Sequence, residues 1–245
     1  MQTARRARAR ASEYERHPDV IRAPGPGGSV RLIHLSGRVY VVRPGDVAAV
    51  DAILGVTGAG TGAPASDALL AGLAKERLIR PTDAAPRPGT ALRSALADRV
   101  LGSALVRSAR ARDPRRQVQR LLRAARWAVV VFGWAETVRV WERCYPQPPV
   151  ARGSLTPLDE IDRRVRRAAA HSLAGHRCKE RALACLALAR ASGHPADLVI
   201  GVRDFPVAAH VWTDCLGRII SDEPAYCAGF RPIARWDGSG AARSA

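Results

Sequence analysis

Long apolar runs are absent from this chain of 245 residues. The longest strongly apolar stretch, WAVVVFGWA at residues 127–135, is far shorter than the roughly 20 residues that a membrane span needs. It therefore predicts a helix of the protein core. The N-terminal MQTARRARARASEYERHP has arginines but no apolar segment after them, so it predicts neither an export signal nor a membrane anchor. We expect a cytoplasmic protein with no membrane partner.

Cysteines are few and irregularly placed. An odd number of them is not what a disulfide framework requires, and their spacings do not fit a compact metal motif. We therefore expect neither disulfides nor a metal site, and the sequence predicts no other cofactor. The five cysteines are Cys144, Cys178, Cys185, Cys215 and Cys227.

Negative charge is scarce as well. The chain has 22 acidic residues against 39 basic ones, which gives a net charge of +17. Such an excess usually indicates a polyanionic partner such as nucleic acid. Only Lys75 and Lys179 are lysines, however, and alanine is abundant, as a nucleotide-composition bias would produce. The basic residues are also spread along the whole chain, which argues against nucleic acid and leaves an acidic peptide or protein partner open.

The N-terminal part predicts a small mixed module. Apolar residues alternate with polar ones on both sides of Ser36-Gly37, which predicts a hairpin. Helical spacing follows in GDVAAVDAILGV (45–56) and again in the segment that Ser66 opens. We interpret residues 29–82 as a winged-helix-like module and residues 1–28, which end in the breaker APGPGG, as a flexible basic tail.

The remainder predicts helices followed by strands. TDAAPRPGT indicates a linker at residues 83–90, and a second domain is predicted at 91–235, with a flexible tail at 236–245. Its helices are expected from Asp113-Pro114 onward, from Asp159 to about Leu173, and from Cys178 to Ala191. The first has an apolar face that includes Leu121, Leu122, Trp127, Val131, Trp134 and Val138. ADLVIGVR, HVWTDC and RIISD then predict three strands, so the expected fold class is α+β.

Three residues in this second domain form a candidate catalytic triad. Cys178 begins a helix, where free backbone amides and the helix dipole stabilise a thiolate. His210 lies in a predicted apolar strand, and Asp222 ends the following strand. Nucleophilic catalysis by cysteine needs a nearby base and a third group that orients the imidazole. A cysteine at a helix start facing a hairpin that carries a histidine and an aspartate meets this requirement.

The segment CKERALACLALARASGHPADLVIGVRDFPVAAHVWTDCLGRIISDEP resembles the core of the lasso-peptide maturation proteases, the B proteins, which are transglutaminase-like cysteine proteases. In that family a C-x-x-x-A-L-A helix is followed by LVIGV, an AH-x-W strand and an ND or similar pair that ends the next strand. The resemblance implies that Cys178, His210 and Asp222 are the triad. It also implies an N-terminal module that binds the leader of a precursor peptide, and a partner cyclase similar to asparagine synthetase, which would be the component that uses ATP.

The expected activity is removal of the leader peptide before the cyclase closes the macrolactam. The leader is expected to add as a strand to a sheet edge, either at the hairpin 30–43 or near Leu78–Arg80. Two alternatives stay open. The same triad would serve a transglutaminase-like acyltransferase with an amine as acceptor. A non-enzymatic DNA-binding regulator would instead use the winged-helix-like module and the positive charge.

Overall fold

The computed structural model divides the chain into two compact units, residues 1–91 and 92–245. Strands and helices are numbered β1–β9 and α1–α8 in chain order. The eight helices and the antiparallel sheets of the described residues confirm the predicted α+β class. The structure describes residues 14–17, 19–35, 38–56, 65–82, 90–109, 111–149, 156–172 and 175–236.

The first unit has a three-stranded antiparallel sheet in the order β2-β3-β4. A separate two-stranded pair is formed by β1 and β5, and the helices are α1 and α2. Apolar side chains from these elements share one core, in which Leu32 and Val50 are fully buried. The bounds are β1 Tyr14–Arg16, β2 Val20–Pro24, β3 Val30–His34, β4 Arg38–Val42, α1 Pro44–Ile53, α2 Asp67–Lys75 and β5 Ile79–Pro81.

The flexible tail predicted for residues 1–28 is wrong from residue 14 onward, because β1 and β2 lie inside it. Val20 and Ala23 are buried, and Arg22 of β2 donates to Asp51 of α1 at 2.7 Å. Strand β2 is not predicted from the sequence because it is short and runs directly into a Pro/Gly breaker. Residues 1–13, the hairpin turn Ser36-Gly37, most of the predicted linker and residues 237–245 lie outside the described residues.

The second unit begins with helices. The single long helix predicted from Asp113 is wrong: it is two helices, α4 and α5, separated at Gly133, whose φ of 82° and ψ of 174° are not helical. Trp127 and Val131 of the predicted apolar face are 43% and 40% exposed. The buried stripe of α4 instead includes the small residues Ala125 and Ala128. The helices are α3 Thr90–Ala109, α4 Pro114–Phe132, α5 Trp134–Cys144, α6 Thr156–Ala170, α7 Cys178–Ala191 and α8 Pro224–Cys227.

An antiparallel sheet in the order β8-β7-β6-β9 completes this unit. The three strands predicted from the sequence are present, and a fourth, β9, lies at the edge. Strand β9 is not predicted from the sequence because Pro232 and two arginines interrupt its apolar residues. Edge strands tolerate such a composition. The bounds are β6 Asp197–Arg203, β7 Ala208–Cys215, β8 Arg218–Ile220 and β9 Arg231–Trp236.

Helix α7 is the centre of the second unit. It contacts α4 and α6 as well as β7, so it is buried on nearly all sides. Its sequence, CKERALACLALARA, combines strong helix formers with alanines that let neighbouring elements approach closely. Gly193, with a φ of 82°, ends the segment. The first residue of this central helix is Cys178, which is therefore held on a rigid element beside the sheet.

No helix among the residues that the structure describes combines the length and apolarity required to traverse a lipid bilayer.

Candidate active site

Cys178 occupies the first position of α7 and is partly exposed. The chain enters the helix through a hydrogen bond in which the Arg177 N–H donates to Glu180 Oε2 at 2.7 Å. The Cys178 sulfur lies close enough to the His210 side chain and to the backbone of Val211 for both to lower the pKa of its thiol. The predicted nucleophile thus lies at a helix N-terminus and faces strand β7.

The environment of Cys178 favours the thiolate. Burial alone would raise the pKa of the Cys178 thiol, but the hydrogen bond and positive charge of His210 oppose it, with help from Val211 and Lys179. The net result is a pKa below the ordinary value for a cysteine. Positive charge and backbone donors are the features that distinguish reactive cysteines from inert buried ones.

His210 is held in β7 by aromatic rings. Its side chain is only 7% exposed. The ring stacks on Trp212 at a centroid distance of 6.1 Å, and Tyr226 and Phe230 each lie 5.1 Å away. Three aromatic rings therefore pack around the imidazole and restrict its movement.

Nε2 of His210 lies 3.1 Å from Oδ2 of Asp222. The carboxylate approaches obliquely to the N–H direction, so the interaction is a close charge contact rather than a straight hydrogen bond. Burial would lower the pKa of His210, but its interactions with Asp222, Cys178 and Cys227 outweigh burial and raise this pKa to about 11.

Asp222 follows β8 and is presented by a strained residue. Ser221 has a φ of 97°, in the left-handed region that residues other than glycine rarely adopt. Two hydrogen bonds hold it there: the Ser221 N–H donates to Asp162 Oδ1 at 2.9 Å, and the Thr213 N–H donates to Ser221 Oγ at 3.2 Å. Helix α6 and strand β7 together therefore fix the turn that aims Asp222 at His210.

A further contact sets the distance between the helix and the strand. The Thr213 hydroxyl of β7 donates to the Ala182 carbonyl of α7 at 2.7 Å, and both residues are fully buried. Thr213 is three residues after His210, and Ala182 is four residues after Cys178. This bond therefore joins the two elements close to the point where the thiol meets the imidazole.

Two neighbours of the triad were not predicted from the sequence. Arg181 Nη2 donates to Asp222 Oδ2 at 2.6 Å, and the Cys227 thiol lies within hydrogen-bonding reach of His210. The position of Arg181 three residues after Cys178 was the available signal, since that spacing places both on one helix face. For Cys227 there was no comparable signal, because α8 and β9 were not predicted. Cys227 is 2% exposed, whereas Cys178 is partly exposed.

The part of the chain that the structure describes has no cluster of three or more His, Cys, Asp or Glu side chains suited to hold a metal ion. The groups that the structure brings together are a thiol, an imidazole and a carboxylate, each in contact with the next. This set of groups supports covalent catalysis, in which a thiolate attacks a carbonyl and the imidazolium donates a proton to the leaving group.

Residues 120–235 match the family model described as Transglutaminase-like superfamily. This part of the chain is therefore a transglutaminase-like domain, and it contains Cys178, His210 and Asp222. Such a domain suggests an enzyme, commonly a cysteine peptidase or an acyltransferase. Neither the curated proteins nor the solved structures contain a significant match to the chain.

The shifted pKa values predict unusual reactivity of Cys178. Since the pKa of its thiol is lowered and that of His210 is raised, a thiolate–imidazolium pair exists between the two values. We expect iodoacetamide to alkylate Cys178 with a half-maximal rate at a pH below the value of about 8.5 for a free thiol. Peptide mapping after alkylation at a series of pH values measures this. A midpoint at or above that of a free cysteine would contradict the assignment.

Gly201 provides a structural prediction. It pairs with His210 across β6 and β7, and a Cβ at this position would lie 2.6 Å from the Trp212 ring and 2.9 Å from Phe230 Cβ. Since these rings hold His210, we expect Gly201→Ala to lower the free energy of unfolding by about 1–3 kcal/mol. Cys178 alkylation at neutral pH should slow as well. Urea denaturation and alkylation rates measure the two effects.

Gly102→Ala is the matched control, because Gly102 is in helix α3 and an added Cβ has only Cys144 Sγ near it, at 3.9 Å. It should leave alkylation unchanged and stability equal or higher, since alanine is favoured over glycine in helices. Equal stability of Gly201→Ala and the wild type would show that the rings move aside without cost.

Proposed function

We propose that this protein is a cysteine peptidase that removes the leader peptide from a ribosomally made lasso-peptide precursor. The observation that carries the proposal is the contact of one imidazole, that of His210, with both the Cys178 thiol and the Asp222 carboxylate. The C-x-x-x-A-L-A, LVIGV and AH-x-W motifs around these residues support the choice of substrate. A DNA-binding regulator would have no use for such an assembled site.

The first chemical step forms an acyl-enzyme. The Cys178 thiolate attacks the scissile carbonyl, and the C–N bond breaks as the His210 imidazolium donates its proton to the departing amine of the core peptide. The leader is then bound to Cys178 as a thioester. The Cys178 N–H, at the first position of α7, is positioned to donate to the developing oxyanion, since the first amides of a helix have no intrahelical acceptor.

The second step releases the leader. Neutral His210 accepts a proton from water, whose oxygen attacks the thioester. The C–S bond then breaks, which restores the thiolate–imidazolium pair and gives the leader as a carboxylic acid that loses its proton to solvent. Asp222 stays ionised throughout and stabilises the imidazolium. Burial would raise the pKa of Asp222, but His210, the Glu223 N–H and Arg181 together keep it below the ordinary value.

The N-terminal unit is proposed to hold the leader. An extended peptide binds a sheet edge through main-chain hydrogen bonds. Among the described strands, β4 is an outer strand of the first sheet, and its five residues all have an N–H, whereas β2 and β5 end in proline. Val41 of β4 is 59% exposed. We therefore propose that the leader adds beside β4. We further propose that the core peptide freed by cleavage passes to a partner cyclase similar to asparagine synthetase, which uses ATP.

Mass spectrometry of the candidate precursor incubated with this protein tests the function. The expected result is two fragments whose masses sum to that of the precursor plus one water. The reaction should be run with and without the cyclase, since family members tend to depend on it. An intact precursor under all conditions would contradict leader removal.

An acyltransferase is the second candidate, and the superfamily match favours it as much as a peptidase. It would form the same thioester on Cys178 but resolve it with an amine. Addition of a small primary amine to the reaction separates the two activities. A leader fragment that carries the added amine as an amide, beside the released core peptide, identifies transfer, whereas the two hydrolytic fragments identify a peptidase.

A further inference from the structure

Arg181 contacts the triad through the same oxygen that His210 uses. Its Nη2 donates to Asp222 Oδ2 at 2.6 Å, and that oxygen is 3.1 Å from His210 Nε2. The side chains of Arg181 and Asp222 are only 24% and 12% exposed, so the ion pair is largely shielded from water. An arginine–carboxylate pair in such surroundings has a defined geometry, unlike an ion pair on an open surface.

The other oxygen of Asp222 is also occupied. Oδ1 accepts the backbone N–H of Glu223 at 3.0 Å. Each carboxylate oxygen therefore has a donor other than the imidazole. Rotation of Asp222 away from His210 would break the hydrogen bonds to both Arg181 and Glu223, so the carboxylate is fixed before it meets the ring.

Helix α7 links this fixation to the nucleophile. Arg181 is three residues after Cys178, so the two side chains are neighbours on one helix face, about 4.5 Å apart along the axis. Cys178 contacts His210, His210 contacts Asp222, and Asp222 contacts Arg181, which returns to the same helix. The four residues therefore form a closed series of contacts that begins and ends on helix α7.

We propose that Arg181 is a positioning residue that holds Asp222 in the orientation required to stabilise the His210 imidazolium; its effect on turnover rests on the peptidase or acyltransferase function proposed above. Two effects of opposite sign are involved. As a nearby cation, Arg181 opposes the positive charge of His210. As the anchor of Asp222, it keeps a carboxylate at 3.1 Å from Nε2. Arg181 contacts the carboxylate directly, and the carboxylate lies between Arg181 and His210. We therefore expect the anchoring effect to be the larger of the two.

The sign of a pKa change separates the two effects. If Arg181 anchors Asp222, Arg181→Met releases the carboxylate and the His210 pKa falls. If Arg181 acts only as a charge, its removal raises the His210 pKa. NMR titration of the His210 ring nitrogens reports this pKa without any substrate. We expect the pKa to fall in Arg181→Met and to fall less in Arg181→Lys, which keeps the charge but not the planar fork.

Turnover gives the second measurement. Misplacement of a catalytic group by about 1 Å can cost 10²-fold, so we expect kcat of Arg181→Met to fall by about 10- to 100-fold while KM changes little. Arg235→Met is the matched control: it removes another Arg–Asp pair of this unit, 2.7 Å to Asp197, that does not touch the triad. Its kcat and its His210 pKa should equal those of the wild type.

An unchanged or raised His210 pKa in Arg181→Met would overturn the proposal, as would wild-type kcat. If wild-type protein cleaves no precursor but the His210 pKa falls as expected, the proposed substrate is wrong and the positioning role stands. Circular dichroism and thermal melting establish that each variant is folded. Should Arg181→Met fail to fold, Arg181→Lys decides: a His210 pKa equal to that of the wild type overturns the proposal, and a lowered one supports it.

Discussion

Cys178→Ala is expected to abolish turnover, with a loss of about 10⁴-fold or more in kcat. The sulfur is the only group of the triad that bonds to the substrate, and alanine supplies neither a nucleophile nor a proton acceptor. Removal of a nucleophile from such a unit costs nearly as much as removal of the whole unit. Fragment release from the precursor, followed by mass spectrometry, measures the loss.

Substitutions at two further cysteines, Cys185 and Cys227, make the test specific. Cys185 is on the same helix two turns later and is fully buried, so Cys185→Ala should retain turnover and serves as the matched control. Cys227 lies near the same imidazole but is 2% exposed. Cys227→Ala should therefore lower kcat by less than about tenfold, as expected for a packing change. A large loss of kcat in Cys227→Ala, together with activity in Cys178→Ala, would show that Cys178 is not the nucleophile.

His210→Gln is expected to have the second largest effect, a loss of about 10³-fold or more in kcat. Glutamine has a similar length and can still contact Asp222, but it neither carries a positive charge nor transfers a proton. The proton for the leaving amine and the base for the water are both lost. The cleavage assay used for Cys178→Ala measures this change as well.

The same variant should reverse the shift in the pKa of Cys178. With His210 present, its hydrogen bond and charge outweigh the burial that raises the pKa of the thiol. Without it, burial dominates, and the midpoint of alkylation should rise to or above about 8.5. Trp127→Phe, a change of an exposed ring on α4, is a control that should leave the midpoint unchanged. A midpoint in His210→Gln equal to that of the wild type would separate His210 from the thiol.

The residues of the candidate site followed from the sequence because each triad position combines a local signal with a place in the chain. Cys178 begins a helix rich in alanine and leucine, His210 lies on the first strand of a hairpin, and Asp222 follows the second strand. In an antiparallel pair, such strands are necessarily adjacent, so a helix packed on them can meet both side chains. The prediction needed only the order of the elements and no knowledge of the rest of the fold.

Contacts that depend on packing could not be predicted in this way. Arg181 reaches Asp222 only because α7 packs on β7 in a particular alignment, which the bond from the Thr213 hydroxyl to the Ala182 carbonyl helps to set. Gly201 is needed because the Trp212 and Phe230 rings cover it. Each of these facts depends on three elements at once, whereas a pattern in the sequence reports one element.

The errors in the fold have a common origin. Apolar periodicity continues through Gly133, so it predicts one helix across a residue whose backbone is not helical. Strands β2 and β9 were missed because both are short and contain proline. In both cases, tertiary contacts stabilise a conformation for which the local sequence gives little signal.

The central claim is that pairing with His210 lowers the pKa of the Cys178 thiol. The ultraviolet absorbance of a thiolate, recorded as the difference between wild-type protein and Cys178→Ala during a pH titration, tests it most directly. We predict that the wild-type thiolate signal appears at a lower pH than the corresponding difference signal for His210→Gln. A wild-type signal that appears only above the pKa of a free thiol, or one that His210→Gln leaves unchanged, would contradict the account.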